Sequence, residues 1–124
     1  MTAVVDAPVV LAWLQDEPGA DEAEPMLMEG RIGAANWSEV LQKAREHGAP
    51  VEIVARLLSS FGLTVVDVNA TDAARAAELW HLGTMLSLGD RLCLALGMRM
   101  GLPVATADSG WADLDGGPNV VIIR

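Results

Sequence analysis

Four carboxylates in this sequence stand beside apolar runs instead of within its charged stretches. Asp6 follows Val4-Val5, Glu39 closes Asn36-Trp37-Ser38-Glu39, Asp90 closes Ser87-Leu88-Gly89-Asp90, and Asp108 follows Val104-Ala105-Thr106-Ala107. Singly, each has an ordinary explanation. The segments ending in Glu39 and Asp90 fit a capping box, in which a small polar N-cap pairs with an acid three residues later. Asp6 fits the cap of a helix starting near Pro8, and Asp108-Ser109-Gly110 is a turn sequence. Jointly they suggest more, because gathering acids is costly: two unit charges about 4 Å apart repel by roughly 4 kcal/mol at an effective dielectric near 20. A divalent cation relieves that cost, and an all-oxygen donor set suits Mg²⁺ or Mn²⁺, which bind carboxylates together with substrate phosphates.

The elements that must bring them together read as alternating strands and helices. Ala3-Val4-Val5 is a short strand that feeds a helix from Pro8, and Pro18 and Gly30 bracket a second helix. Asp16, Glu17, Asp21, Glu22, Glu24 and Glu29 crowd around that second helix and give it a solvated acidic face. A brief strand is expected over 32–35, with Asn36 capping a third helix that ends near His47-Gly48. Pro50 opens a fourth helix, and 63–68 reads as a buried β-branched strand. Helices follow over 71–82 and 87–100, the latter stopping at Gly101. A strand over 103–106 and a last one over 120–123 complete the chain. Strands alternating with helices imply a parallel sheet covered on both faces, an α/β class in which ligands gather at the carboxyl ends of the strands. Asp6 and Asp108 would share that crevice if their strands are neighbours.

At 124 residues the chain has the size of one domain, 1–124, and its 52 % hydrophobic content is enough for a core. The balance of 8 Lys plus Arg against 17 Asp plus Glu gives a formal charge of −9, which excludes a plain basic-patch nucleic-acid binder. The lone Cys93 excludes a disulfide framework and a zinc site of several thiolates. No apolar run approaches the roughly 20 residues of a membrane span, and the N-terminus reads as a strand instead of a cleavable signal, so a cytoplasmic location is expected. His47 and His81 lack a partner pattern for a catalytic triad. Trp13, Trp37, Trp80 and Trp111 read as core or interface anchors, and Asp72 as the solvated start of a helix.

Val4-Val5-Asp6-Ala7, Asn36-Trp37-Ser38-Glu39-Val40-Leu41, Ser87-Leu88-Gly89-Asp90-Arg91-Leu92-Cys93-Leu94-Ala95-Leu96 and Thr106-Ala107-Asp108-Ser109-Gly110-Trp111 resemble, in order and spacing, the four signature segments of PIN-domain ribonucleases of the VapC toxin type. The third segment is the most specific. The resemblance implies a three-layer α/β/α PIN-like domain with a central parallel sheet. It also implies a Mg²⁺- or Mn²⁺-dependent endoribonuclease, the toxin of a VapBC-like pair, cutting cellular tRNA or rRNA by water attack to leave a 5′-phosphate. Carried across by position, Asp6, Glu39, Asp90 and Asp108 would hold the metal and act in catalysis. Asn36 and Thr106 would orient carboxylates or water. Arg91, beside Asp90, reads equally as a contact to RNA phosphate or as a solvated ion pair. The implied partners are RNA and a VapB-like antitoxin whose arginine enters the acidic site; a homodimer is expected because 52 % hydrophobic content in so short a chain leaves apolar helix faces for a partner to cover.

Two departures from the pattern stand out. Pro8 replaces the Ser or Thr of many relatives and removes a hydroxyl and a backbone N–H. Gly89 replaces a common alanine. Arg31, Lys43, Arg45, Arg56, Arg75, Arg91 and Arg99 would have to supply a positive rim for RNA. A haloacid-dehalogenase-like phosphatase also begins with a strand ending in Asp, yet it needs a second Asp at position 8 and a late lysine; position 8 is proline and the only lysine is Lys43. The remaining rival is a non-catalytic PIN-like module whose acidic pocket binds an arginine-bearing tail.

Overall fold

The computed structural model describes residues 2–81, 84–114 and 116–123. They run in the order β1 (Val4–Val5), α1 (Ala7–Leu14), α2 (Ala20–Leu27), β2 (Arg31–Gly33), α3 (Ala34–Glu46), α4 (Val51–Ser60), β3 (Thr64–Val66), α5 (Ala70–Glu78), α6 (Leu88–Met100), β4 (Val104–Thr106), a 3₁₀ turn (Ser109–Asp113) and β5 (Val120–Ile122). The strands form one sheet in the order β3-β2-β1-β4-β5, every pair parallel. This is the expected α/β architecture.

Successive strand residues face opposite sides, so each short strand feeds two cores. Val5 and Ala105 point into a cluster with Val9, Val10, Ala23, Leu27, Val40 and Leu58 from α1 to α4. Val4 and Val104 point the other way, against Cys93, Leu94 and Leu96 of α6 and Trp111 of the 3₁₀ turn. Gly97 lets α6 lie directly on β4, because a Cβ there would collide with the Val104 side chain and crowd Leu102 and Pro118. The acids around α2 lie on the surface, as expected of a solvated face.

Several boundaries differ from the sequence reading. The second strand ends at Gly33, and α3 begins two residues before Asn36, so Asn36 sits inside the helix instead of capping it. Glu39 is therefore beyond the first turn, and α3 has no side-chain cap. β3 is an exposed edge strand instead of a buried one: Thr64 and Val65 are open to solvent because β3 ends the sheet order. Helix α5 stops at Glu78; its expected end at Leu82 lies outside the described residues.

Asp72 departs most. It is buried, with 2 % exposure, and closes a capping box with Asn69 while accepting from Arg99 Nε at 2.7 Å and Nη2 at 3.0 Å. Burial pushes its carboxyl up, but the Arg99 and Asn69 bonds together outweigh burial and hold it below the ordinary value. Arg99 also donates to the Asp67 carbonyl at 3.1 Å, so this pair clamps the start of α5 to the end of α6.

Candidate active site

The strand order reverses at β1: β2 and β3 lie on one side, and the chain returns by α5 and α6 to place β4 on the other. Val5 pairs with Ala105 in register, so Asp6 and Thr106, the next residues, emerge side by side at the carboxyl end of the sheet. An extended backbone at Asp6 turns its side chain onto α1, where Oδ1 accepts from the Val9 N–H at 3.0 Å. Pro8 lies in that first turn, where a missing N–H breaks no helical bond. Asp6 Oδ2 accepts from the Thr106 hydroxyl at 2.5 Å, and Thr106 Oγ1 accepts in turn from the Asp108 N–H at 3.0 Å.

Asp6 is 2 % exposed. Burial pushes its carboxyl up to about 7, against the Thr106 and Val9 hydrogen bonds, and the negative charges of Asp90 and Glu39 add to the rise. Repulsion from the neighbouring acids is thus a secondary cause of the rise, and desolvation leads.

Asn36, buried on the first part of α3, reaches across to α6. Its amide nitrogen donates to Glu39 Oε1 at 2.9 Å and to the Gly89 carbonyl at 3.1 Å, which aims Glu39 and docks the start of α6 in a single move. Its Oδ1 is buried with no hydrogen-bond partner. Gly89 has to be small for this arrangement, because a Cβ there would sit 2.9 Å from Glu39 Oε1. The sequence reading noted Gly89 only as a departure from a common alanine; its place immediately before Asp90 was the signal for a tight contact.

Asp90 makes the capping box that its segment suggested: its Oδ2 accepts from the Ser87 N–H at 3.0 Å and its own N–H donates to Ser87 Oγ at 3.1 Å. Asp108 is exposed and caps the 3₁₀ turn, with Oδ1 accepting from the Gly110 N–H at 2.8 Å. Asp6, Glu39, Asp90 and Asp108 thus lie at one end of the sheet, tied in two linked pairs. Thr106 joins Asp6 to Asp108, and Asn36 joins Glu39 to the residue before Asp90. Among the described residues, no three acid, histidine or cysteine side chains are grouped closely enough to hold a metal ion. Among the described residues, none donates to Glu39 Oε2, Asp90 Oδ1 or Asp108 Oδ2.

Arg91 is placed differently from its neighbour. Its Nη1 donates to the Ala76 carbonyl at 2.9 Å and its Nε is buried without a partner, so the guanidinium ties α6 to α5. Cys93 is fully buried one turn beyond Asp90; burial and the charges of Asp6, Asp90 and Glu39 push its thiol up, which keeps it protonated and unreactive.

An open parallel sheet with acids collected where its strand order reverses defines an α/β protein with an acidic switch point. The PIN-domain profile matches residues 3–117. The chain belongs to the PIN-domain family. Among solved structures, it is similar to a toxin-antitoxin complex from Klebsiella pneumoniae, with 23 % identity, a TM-score of 0.76 and 98 % of each chain covered. VapBC2 from Rickettsia felis bound to a DNA fragment from its promoter shares 12 % identity with a TM-score of 0.75, again over 98 % of each chain. VapC20 of Mycobacterium tuberculosis, a sarcin-ricin loop cleaving toxin, shares 14 % identity with a TM-score of 0.71 over 90 % of this chain and 93 % of that one. Likeness at these identities is likeness of fold. No curated protein sequence matches the chain. Among the described residues, no helix is long and apolar enough to cross a membrane.

Proposed function

We propose that this protein is a divalent-metal-dependent endoribonuclease, the toxin half of a VapBC-type pair, with Asp6, Glu39, Asp90 and Asp108 as its catalytic acids. One observation carries the reading: a buried carboxyl, Asp6, held at the switch point with Glu39 and Asp90 close enough to act on its charge. A buried acid under that load is a poor structural element and a good cation ligand.

The donor set fits a hard cation. It is all oxygen, the outer three acids each keep a free oxygen, and the buried Asn36 Oδ1 lacks a partner. Asp6, Glu39, Asp90 and Asp108 would hold Mg²⁺ or Mn²⁺, which supplies the lowered water pKa and the charge stabilisation that phosphodiester hydrolysis requires. The chain's own part is positional. Thr106 fixes the Asp6 carboxylate and, through the Asp108 N–H, the start of the 3₁₀ turn. Asn36 fixes Glu39, and Ser87 holds the Asp90 backbone and side chain at the head of α6. Negative charge that would otherwise repel RNA becomes the ligand field of the cation.

A VapB-like antitoxin and a second copy of the toxin complete the proposal. The Klebsiella pneumoniae and Rickettsia felis neighbours are toxin–antitoxin assemblies. This chain leaves apolar surface to cover, with Ile53 and Leu57 exposed one turn apart on α4. A groove of about 230 Å³ lies between α1, α3 and α4, lined by Leu11, Leu14, Ala44 and Val54. The deciding experiment is end-sequencing of cellular RNA after brief induction: discrete new 5′-phosphate ends that vanish with Asp90→Asn support the reading, and an unchanged RNA profile overturns it.

A further inference from the structure

β3 ends the sheet, and its outer side has no strand beside it. The Thr64 N–H donates inward to the Gly30 carbonyl at 3.0 Å, and Val65 stands opposite Ile32 in register. Alternation along a parallel strand therefore turns the Val65 N–H and C=O away from β2, toward the free edge. Among the described residues, none bonds either group. Exposed edges are commonly guarded by lysine, proline or another charge. Thr64-Val65-Val66 carries none of these, and Val65 is 40 % exposed.

The same edge opens onto a cavity of about 370 Å³ between α3, α4 and β3, lined by Trp37, Ala55, Leu58, Leu63 and Val65. Unpaired main-chain groups and an apolar recess thus share one residue, Val65. Asp67 follows two positions later, the repeat that returns to one face of a strand, and it is exposed. Arg99 donates to the Asp67 carbonyl, but its charge is set against Asp72 in a two-bond pair. The Asp67 carboxylate is the unbalanced charge at this end of the edge.

We infer that β3 is a docking edge for an extended peptide segment of another protein, which pairs with Val65, seats a bulky apolar side chain in the cavity and sets a lysine or arginine two residues away against Asp67. Main-chain bonds to the edge supply affinity in such strand addition, and the pocket and the charge supply selectivity. A second copy of this chain is a poorer occupant. Two β3 edges paired antiparallel about Val65 would set each Asp67 opposite the other copy's Leu63, a carboxylate against a buried leucine.

The test uses two fluorescein-labelled, capped peptides, Thr-Lys-Val-Leu-Val-Thr for antiparallel addition and Thr-Val-Leu-Val-Lys-Thr for parallel addition, titrated by anisotropy against the whole chain. At least one should bind saturably and slow hydrogen exchange at the Val65 N–H. Replacing the peptide's leucine by alanine should weaken binding about tenfold, the scale of one buried leucine, and so should Ala55→Leu, which fills the cavity. Val65→Pro removes the outward N–H and should abolish binding. Asp67→Asn should cost a few-fold at low salt and nothing at high salt. No saturable binding of either peptide overturns the inference, as does binding indifferent to the peptide's leucine or to Ala55→Leu, two comparisons that do not depend on Val65→Pro folding. A dimer by light scattering that Val65→Pro dissolves, with no peptide bound by the wild type, also overturns it, because the edge then belongs to a second copy.

Discussion

The Thr106 hydroxyl donates a hydrogen bond to Asp6 Oδ2 at 2.5 Å, joining two residues a hundred positions apart in the chain. The bond exists because β1 and β4 are adjacent and in register, and it makes Thr106 a donor from a neighbouring strand to a buried carboxyl. Thr106→Val keeps the shape and removes the hydroxyl, leaving Asp6 Oδ2 and the Asp108 N–H without their bond. A loss of about 1–3 kcal/mol in unfolding free energy is expected. The Asp6 carboxyl should rise further, moving the acid limb of the cleavage pH profile to higher pH. Chemical denaturation and a pH–rate series check both, and Thr106→Ser should restore most of each.

The raised Asp6 carboxyl also sets the pH dependence of stability. Its folded value of about 7 lies above the ordinary 3.8, so the folded state holds a proton that the unfolded state has released. That contribution is complete below about pH 4 and is lost as pH rises through 7, a change of about 4 kcal/mol for the metal-free protein. Thermal melts in EDTA should therefore fall from pH 4.5 to 7.5. Asp6→Asn, which stays neutral, should flatten that fall while abolishing cleavage. A flat wild-type profile would remove the assignment.

Cation binding should reverse the same loss. A ligand of the native state alone stabilises by about 2.7 kcal/mol at 100 times its dissociation constant. Melts at pH 7 should rise with Mn²⁺ or Mg²⁺, and the rise should shrink in Asp6→Asn and Asp90→Asn. Indifference to millimolar metal in antitoxin-free protein would leave the arginine-binding module as the better account.

Asp72→Asn distinguishes structural from catalytic acids. Arg99 would keep its charge with half its partner gone, and a destabilisation of about 2 kcal/mol is expected, tempered by Arg99's partial exposure. Cleavage per folded molecule should be unchanged. The sequence reading of Asp72 as a solvated helix start would instead leave stability untouched.

Gly89→Ala probes the contact between α6 and Glu39. The new methyl meets the flexible end of Glu39, so stability should stay within about 0.5 kcal/mol. Displacing Glu39 from its Asn36 bond should nevertheless lower cleavage, read against an unchanged melting temperature.

The linear sequence determined much of this protein by itself. Alternating strand and helix signals give the parallel α/β sheet, because periodicity and turn chemistry are local properties. Four signature segments in order mark the PIN family, and Ser87 and Asp90 form the capping box their spacing indicates, since a cap spans only three residues. The tertiary structure decided what depends on distant neighbours. Strand order made β3 an exposed edge although its residues are β-branched. Burial, a property of the whole packed chain, lifted Asp6 toward 7. A helix boundary two residues early turned Asn36 from a cap into the bridge between Glu39 and Gly89. The meeting of α5 with the end of α6 buried Asp72 against Arg99, a pairing across 27 positions that no local pattern encodes.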